Sequence, residues 1–454
     1  MTAEATALSE EQRRRSRKAV FAGALGNGIE WFENTAYASL AVIIAANFFD
    51  QSNPTTALLS TFAIFAIAFV FRPIGGIIFG WIGDRYGRRV SLAFSVTLMG
   101  IATALIGMLP NYQSIGVAAT VLLVVIRCIQ GLSIGGEWGT SAVFLGEHSD
   151  PERRGRTASW TPAGAWLGTG LAIGMVWILR LALGGDAMME WGWRIPFLVA
   201  LPLALVGLWV RLGIDETPDY KAMQAAGLDK RAEDQSTGKK ENRFAKAWRT
   251  SKKQIFILIM VAGVHAAFVF FGVSYMLNYL QTVIGVDANT ALMTNTIAVI
   301  VGTFFTLLWG FAADKIGRRT MLIIASVTLA VISIPILMIV GNGSLAAVLI
   351  GQLLFVACVP MLSAPLAALA TELFPADVRS TSATIGTAVG SGLFGGTVPL
   401  ISQSLVGSTG NPLSPGWFLI SLAVVTLLIV VFMLKETKPG SPALAEYQQL
   451  DKEA

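Results

Sequence analysis

Twelve apolar runs long enough to cross a bilayer begin near residues 20, 58, 90, 116, 158, 195, 254, 291, 320, 345, 381 and 416. A membrane-spanning helix takes about 20 predominantly apolar residues, so such runs fill more than half of the 454-residue chain. Hydrocarbon offers no hydrogen bonds to a backbone, and a run of this length satisfies its own amides only as a helix. The expected fold is an all-α membrane protein with twelve transmembrane helices. Composition agrees, because 13% of residues are charged against about 25% in soluble domains. A large soluble enzyme is excluded.

The connectors fix the expected orientation. Alternate ones carry Arg13-Arg14-Arg15-Ser16-Arg17-Lys18, Asp84-Arg85-Tyr86-Gly87-Arg88-Arg89, Glu152-Arg153-Arg154-Gly155-Arg156, Lys252-Lys253, Asp314-Lys315-Ile316-Gly317-Arg318-Arg319, Asp377-Val378-Arg379 and Lys435. The others contain neither Lys nor Arg. Basic short loops mark the cytoplasmic side, which places both termini in the cytoplasm of a multi-pass cytoplasmic-membrane protein. The net charge of +5 is thus a topology signal with lipid headgroups as its partners, and no nucleic-acid partner is expected. The apolar run near residue 20 is too long for a signal h-region and is interrupted by Glu30 and Glu33, so the first span is expected to be retained. Cys128 and Cys358, far apart in apolar stretches, form neither a disulfide framework nor a CxxC site.

The longest polar connector divides the spans six and six. The expected organisation is an N-terminal tail (1–19), a first half (20–213), a cytoplasmic linker (214–253), a second half (254–434) and a C-terminal tail (435–454). Gly80-Trp81-Ile82-Gly83-Asp84-Arg85-Tyr86-Gly87-Arg88-Arg89 matches Gly310-Phe311-Ala312-Ala313-Asp314-Lys315-Ile316-Gly317-Arg318-Arg319. Glu147 and Arg154 match Glu372 and Arg379, and Glu216-Thr217 matches Glu436-Thr437, in the same order. Three ordered landmarks indicate duplication of a six-helix unit, as in transporters built from repeated halves.

At these residues the chain resembles the major facilitator superfamily, whose most specific signature is the G-x-x-x-D-R/K-x-G-R-R loop after spans 2 and 8. Further stretches resemble its metabolite:proton symporter branch, which includes organic-acid and proline/betaine carriers. They are Gly26-Asn27-Gly28-Ile29-Glu30-Trp31-Phe32, Phe71-Arg72-Pro73-Ile74-Gly75-Gly76, the run from Arg127 to Gly139, Trp191-Gly192-Trp193-Arg194-Ile195-Pro196-Phe197 and Glu372-Leu373-Phe374-Pro375. Where the branch usually reads E-W-F/Y-D-F, this chain has Glu30-Trp31-Phe32-Glu33-Asn34. The resemblance implies a secondary active transporter working by alternating access, with spans 1 and 7 lining the cavity. It also implies a cytoplasmic gate of Asp84, Arg88, Arg89, Asp314, Arg318 and Arg319, paired across loops in one state and separated in another.

Ionisable groups inside spans are costly and usually face a cavity or a partner. They are Glu30, Glu33, Arg72, Arg127 and Glu137, with His265 titratable. At 1.5 Å per residue, Glu30, Arg72, Arg127 and His265 fall near the middle of a core roughly 30 Å thick. Four such groups at one depth on four helices point to a central polar site. Arg72 reads as a substrate contact or as a partner that locks spans together. Arg127, Gln130, Ile134 and Glu137 share one face of span 4, and Arg127 is either substrate-facing or a partner of Glu30. Glu30 and Glu33 are i, i+3 neighbours that disfavour simultaneous ionisation, a property suited to proton coupling or to neutralising an arginine. His265 is a third candidate for coupling or a satisfied polar group, and Glu137 a buried pair or a transport residue. Asn34 and Tyr37 share a face of span 1, and Tyr275 and Asn278 fall together in span 7. The candidate substrate contacts are therefore Arg72, Arg127, Tyr37, Asn34, Gln130, Tyr275 and Asn278. The glycines of span 5, Gly164, Gly168, Gly170 and Gly174, form two interleaved small-xxx-small pairs suited to close helix contact.

No phosphate loop, zinc motif or Ser/His/Asp set is present, so no catalysis, cofactor or metal is expected. The reading is a monomeric proton symporter for a small organic acid or zwitterion. Its rivals are a proton-driven efflux carrier of an amphiphile and a membrane sensor.

Overall fold

A computed structural model describes residues 3–86, 88–135, 153–212, 243–375 and 378–449, and every regular element among them is helical. The spans are α1 (Ala3–Ser39, broken at Leu40 and continued as Ala41–Phe48), α2 (Pro54–Tyr86), α3 (Arg88–Met108), α4 (Val117–Ile134), α5 (Arg154–Gly192) and α6 (Arg194–Leu212). The second series is α7 (Ala247–Ile284), α8 (Ala288–Ile316), α9 (Arg318–Val340), α10 (Leu345–Glu372), α11 (Thr381–Thr409) and α12 (Ser414–Met433), followed by a short α13 (Pro442–Gln449). Nine of these described spans are long and apolar enough to cross a membrane by that test alone. Ala93–Met108 and Arg194–Val210 are shorter apolar helices, and α1 is the span that carries Glu30 and Glu33. Residues 243–253, assigned to the linker from sequence, are helical, and Arg243–Phe270 bends at Ser251. Residues 213–242, with the rest of that linker, lie outside the described residues, as do Glu137, Glu147 and His148.

Helix pairing repeats between the halves. In the first, α1 packs on α5, α2 on α4 and α3 on α6; in the second, α7 packs on α11, α8 on α10 and α9 on α12. The halves meet where α5 packs on α8 and α2 on α11, positions that exchange under the same repeat.

Glycines set how closely the helices approach. A Cβ at Gly164 or Gly168 would overlap the carbonyl oxygens of Ala24 and Gly28 on α1. The other pair on α5 faces the opposite way: Gly170 meets the Ile300 side chain and Gly174 the Thr296 methyl, both on α8. The two small-xxx-small pairs thus serve two contacts, one inside a half and one between halves. Between α2 and α4 the same device recurs, with Gly131 against the Ala68 carbonyl and Gly135 against that of Arg72.

Gly168→Val forces backbone apart, and overpacking of this kind costs about 1–3 kcal/mol or more. It should sharply lower the melting temperature in detergent, whereas Gly174→Ala, whose Cβ would meet the Thr296 methyl at 3.1 Å, should stay within about 0.5 kcal/mol of the parent. Equal tolerance of both would disprove the α1–α5 contact.

Candidate functional site

A cavity lies between the halves. The first half contributes Glu30 and Trp31 from α1, Arg72 from α2, and Ile134 and Gly135 at the end of α4. The second contributes Ala262, His265, Ala266 and Phe270 from α7, Leu366 from α10, and Thr384, Thr387, Ala388 and Ser391 from α11. Arg72 is 8% exposed, its guanidinium lies 3.9 Å from the Phe69 ring centroid, and its Nε has no hydrogen-bond partner among the described residues. Its charge interacts with those of Glu30 and Arg127. Pro73 follows directly, and a helix-interior proline frees the carbonyl four residues back, here that of Phe69. On the second-half wall, His265 Nε2 and Ser363 Oγ of α10 are hydrogen-bonded at 2.7 Å. Trp31 stacks on Phe270 across the interface, with centroids 5.2 Å apart.

The remaining first-half charges form a separate buried chain. Arg127 Nη1 donates to Gln130 Oε1 (2.9 Å), Gln130 Nε2 to Thr103 Oγ1 (2.6 Å), and Thr103 Oγ1 to Glu33 Oε2 (2.9 Å). The chain links α4, α3 and α1. Arg127 also lies over Tyr37 (4.1 Å) and Phe65 (5.3 Å), geometry that favours a cation over an aromatic face. Tyr37 donates its hydroxyl to the Thr61 carbonyl. Arg127, Gln130, Tyr37 and Asn34 are buried and do not line the large cavity. A smaller cavity between α1, α3 and α6 is bounded by Glu30, Glu33, Val96, Met99 and Gly207, so Glu30 borders both.

Tyr275 and Asn278 lie farther along α7, beyond a π-helical turn at Phe271–Tyr275. Tyr275 donates to Gln403 Oε1 of α11, and Asn278 Nδ2 donates to the Ser274 carbonyl (2.7 Å) and across the interface to that of Ala38 (3.3 Å). Asn278 thereby ties the halves together at the end away from the basic loops, Tyr275 is hydrogen-bonded within its own half, and neither lines the cavity.

At the basic-loop end, Asp314 bridges the halves. Its carboxylate accepts from the Gly155 and Arg156 amides (2.8 and 2.9 Å) at the start of α5, the electropositive end of a helix. Arg318 and Arg319, expected to pair across loops, are held inside their own half. Arg318 makes a fully buried two-pronged pair with Glu372 of α10 (3.0 and 3.2 Å) and also meets Asp314 (3.2 Å). The Arg319 side chain donates to the Val430 and Val431 carbonyls of α12, while Glu436 accepts from both arginine amides. The side chains of Asp84, Arg88 and Arg89 lie outside the described residues.

Sequence reading missed Thr103, Ser363, Thr384, Thr387 and Ser391. The last three follow helical spacing along span 11, a signal that was available. Nothing local distinguished Thr103 or Ser363.

Two packed halves with a cavity between them that a few polar groups border, and contacts at either end, fit a polytopic carrier. The family model for "Sugar (and other) transporter" matches residues 19–447, and the chain belongs to that family within the major facilitator superfamily. It is 30% identical over 444 residues to the glycine betaine/proline/ectoine/pipecolic acid transporter OusA of Dickeya dadantii, covering 96% of this chain and 88% of the relative. It is also 30% identical to the proline/betaine transporter of Escherichia coli K12 (95% and 87% covered) and 33% identical to a putative proline/betaine transporter of Staphylococcus aureus (97% and 92%). Among solved structures, the proton:xylose symporter XylE bound to 6-bromo-6-deoxy-D-glucose superposes with a TM-score of 0.76 over 97% of this chain and 99% of that one, at 18% identity. The partially occluded inward-open XylE of E. coli gives 0.73 over 94% and 100%, at 19% identity. Both show the fold. The chain is a multi-pass membrane transporter.

Removing one member of a buried ion pair costs about 3–5 kcal/mol. Glu372→Ala should therefore destabilise the protein by roughly that much in thermal or denaturant unfolding. Lys435→Ala, which breaks a pair 54% exposed on both sides, should change stability by no more than about 1 kcal/mol.

Proposed function

We propose that this carrier takes up a small zwitterionic metabolite together with a proton, across the bacterial cytoplasmic membrane and with both termini inside. The observation that carries the reading is Arg72: a buried guanidinium bordering the cavity, with Nε unpartnered among the described residues. A guanidinium presents a planar fork matched to a carboxylate. Relatives named for proline and betaines make a zwitterion the best-supported carboxylate, ahead of a plain organic acid.

Glu30 shares the cavity with Arg72 and interacts with its charge. A substrate carboxylate competes with Glu30 for the guanidinium, and a displaced glutamate in this setting is neutralised by taking a proton. Substrate and proton are then coupled without touching. Glu33, at the end of the Thr103–Gln130–Arg127 chain, is the proposed second station for the proton. His265 extends the polar wall on the opposite half. Substrate and proton bind at midplane, and rocking of the halves exposes the site to the other side. In this cycle Tyr275 and Asn278 close one end, while Asp314 on the start of α5 closes the other.

In proteoliposomes an inward-directed proton gradient should accelerate uptake of labelled proline or glycine betaine with sodium absent; equal rates without the gradient would sink the coupling. Arg72→Lys keeps the charge and loses the fork, so affinity should fall by about 1.5–3 kcal/mol, the worth of a hydrogen bond to a charged group. Arg72→Ala should abolish binding in a folded protein, and Glu30→Gln should bind without pH dependence. Normal binding by Arg72→Ala would reduce Arg72 to a structural pair.

Asp314→Asn weakens the cross-half latch outside the cavity. Equilibrium binding should survive while turnover changes several-fold. Loss of binding in a folded Asp314→Asn protein would overturn the latch.

A further inference from the structure

We propose that the α11 face of the cavity is an ammonium subsite, and that it selects zwitterions whose nitrogen carries hydrogen over quaternary ones. This rests on the zwitterion reading above and adds to it a choice between substrate classes.

Thr384, Thr387 and Ser391 recur at helical spacing and all border the cavity. Two close approaches set their level against Arg72. Gly76 of α2 lies against the Thr384 methyl, with a Cβ there 3.7 Å away, and Gly392 of α11 lies against the Phe69 carbonyl, with a Cβ there 3.2 Å away. Arg72 sits one turn from Gly76, about 6 Å along α2, and Thr387 sits about 4.5 Å from Thr384 in the same direction along the antiparallel α11. Thr387 therefore stands level with Arg72 across the cavity, and Ser391 one turn farther on.

The hydroxyl protons of Thr387 and Ser391 are already engaged. Thr387 Oγ1 donates to the Ala383 carbonyl at 2.8 Å, with the Thr384 carbonyl at 3.3 Å, and Ser391 Oγ donates to the Ala388 carbonyl at 3.3 Å. A hydroxyl has one proton and two lone pairs. With the proton bound to its own helix, each turns acceptors alone toward the cavity. Arg72 provides the independent mark of a ligand here, being buried on the facing wall with an Nε that has no partner among the described residues.

A primary or secondary ammonium held by its carboxylate on Arg72 donates N–H bonds to these oxygens. A quaternary ammonium has no N–H, and its methyl groups would strip water from acceptors it cannot satisfy. Glu30, neutralised by its proton once the substrate carboxylate is on Arg72, does not discriminate between the two cations. Trp31 does little to redress the balance toward a quaternary cation, because one face of its ring is covered by Phe270. Sites built to hydrogen-bond an N–H reject analogues lacking it more strongly than apolar pockets reject a size change.

The test is equilibrium binding of labelled L-proline and glycine betaine to the reconstituted full chain. The wild type should prefer proline. Thr387→Val, which keeps shape and removes the acceptor, should weaken proline about fivefold to tenfold and leave betaine within about twofold. Thr387→Ser should restore the preference, and an unchanged melting temperature shows that the Val variant is folded. If both ligands weaken together, or the ratio is independent of residue 387, the subsite is wrong while the zwitterion reading stands. If folded wild-type protein binds neither ligand, the zwitterion reading falls and the subsite with it.

Discussion

A charge in hydrocarbon must be neutralised, hydrated or hydrogen-bonded, and among the described residues at the level of the cavity that demand falls on one of the two halves. Glu30, Glu33, Arg72 and Arg127 are all buried, and all stand on α1, α2 and α4. The facing wall on α7, α10 and α11 meets them with His265, Ser363, Thr387 and Ser391, groups that offer hydrogen bonds without a fixed charge. The halves can therefore change their relation without tearing an ion pair apart at midplane, a step that would cost several kcal/mol. Cross-half electrostatic contact is found instead at the basic-loop end, where Asp314 accepts from backbone amides of α5.

The glycines of α4 and α5 make two kinds of contact. Inside the first half, glycines of α4 and α5 press on backbone carbonyls of α2 and α1, and backbone cannot move aside. That closeness lets short side chains such as Thr103 complete a chain from Arg127 to Glu33 across three helices. Between the halves, Gly170 and Gly174 of α5 meet side chains of Ile300 and Thr296, and Gly302 of α8 meets the Trp166 ring. Side chains can change rotamer. The α5–α8 seam can thus yield more readily than the α1–α5 and α2–α4 contacts, while Gly392 of α11 against the Phe69 carbonyl and Gly310 of α8 against the Gly155 carbonyl bring backbone close to backbone across the halves as well.

Much of this was legible in the sequence because the relevant signals are local. Hydropathy marks each span, basic residues mark alternate connectors, and a charge at a given distance from a span end has a known depth. Glu30, Arg72 and His265 were grouped by depth alone and do border one cavity. Depth does not give rotation about the helix axis, and there the reading went astray. Arg127 and Tyr37 share the level of the cavity but turn toward each other. Tyr275 and Asn278, read as substrate contacts, face Gln403 and the α1 backbone at one end. Arg318 matches Arg88 in the repeated loop, yet its partner Glu372 is set by how α9 leans on α10, and no spacing within the loop encodes that.

On the proposed mechanism the coupling is bounded by linkage. If a proton on Glu30 raises substrate affinity by some factor, bound substrate raises proton affinity by the same factor. Competition for Arg72 supplies that factor only while Glu30 and the substrate carboxylate cannot both be held by the guanidinium. An Arg72 Nε with no partner among the described residues fits this picture, because Glu30 does not engage every donor of the guanidinium. Arg127 differs in place rather than in saturation: its Nε and Nη2 also have no partner among the described residues, but it lies against two aromatic rings, is tied to Gln130 and stands away from the large cavity. The two arginines, alike in burial and in cost, are thus suited to different work: Arg72 to exchange partners during the cycle, and Arg127 to hold the α1–α3–α4 chain in place while it does so.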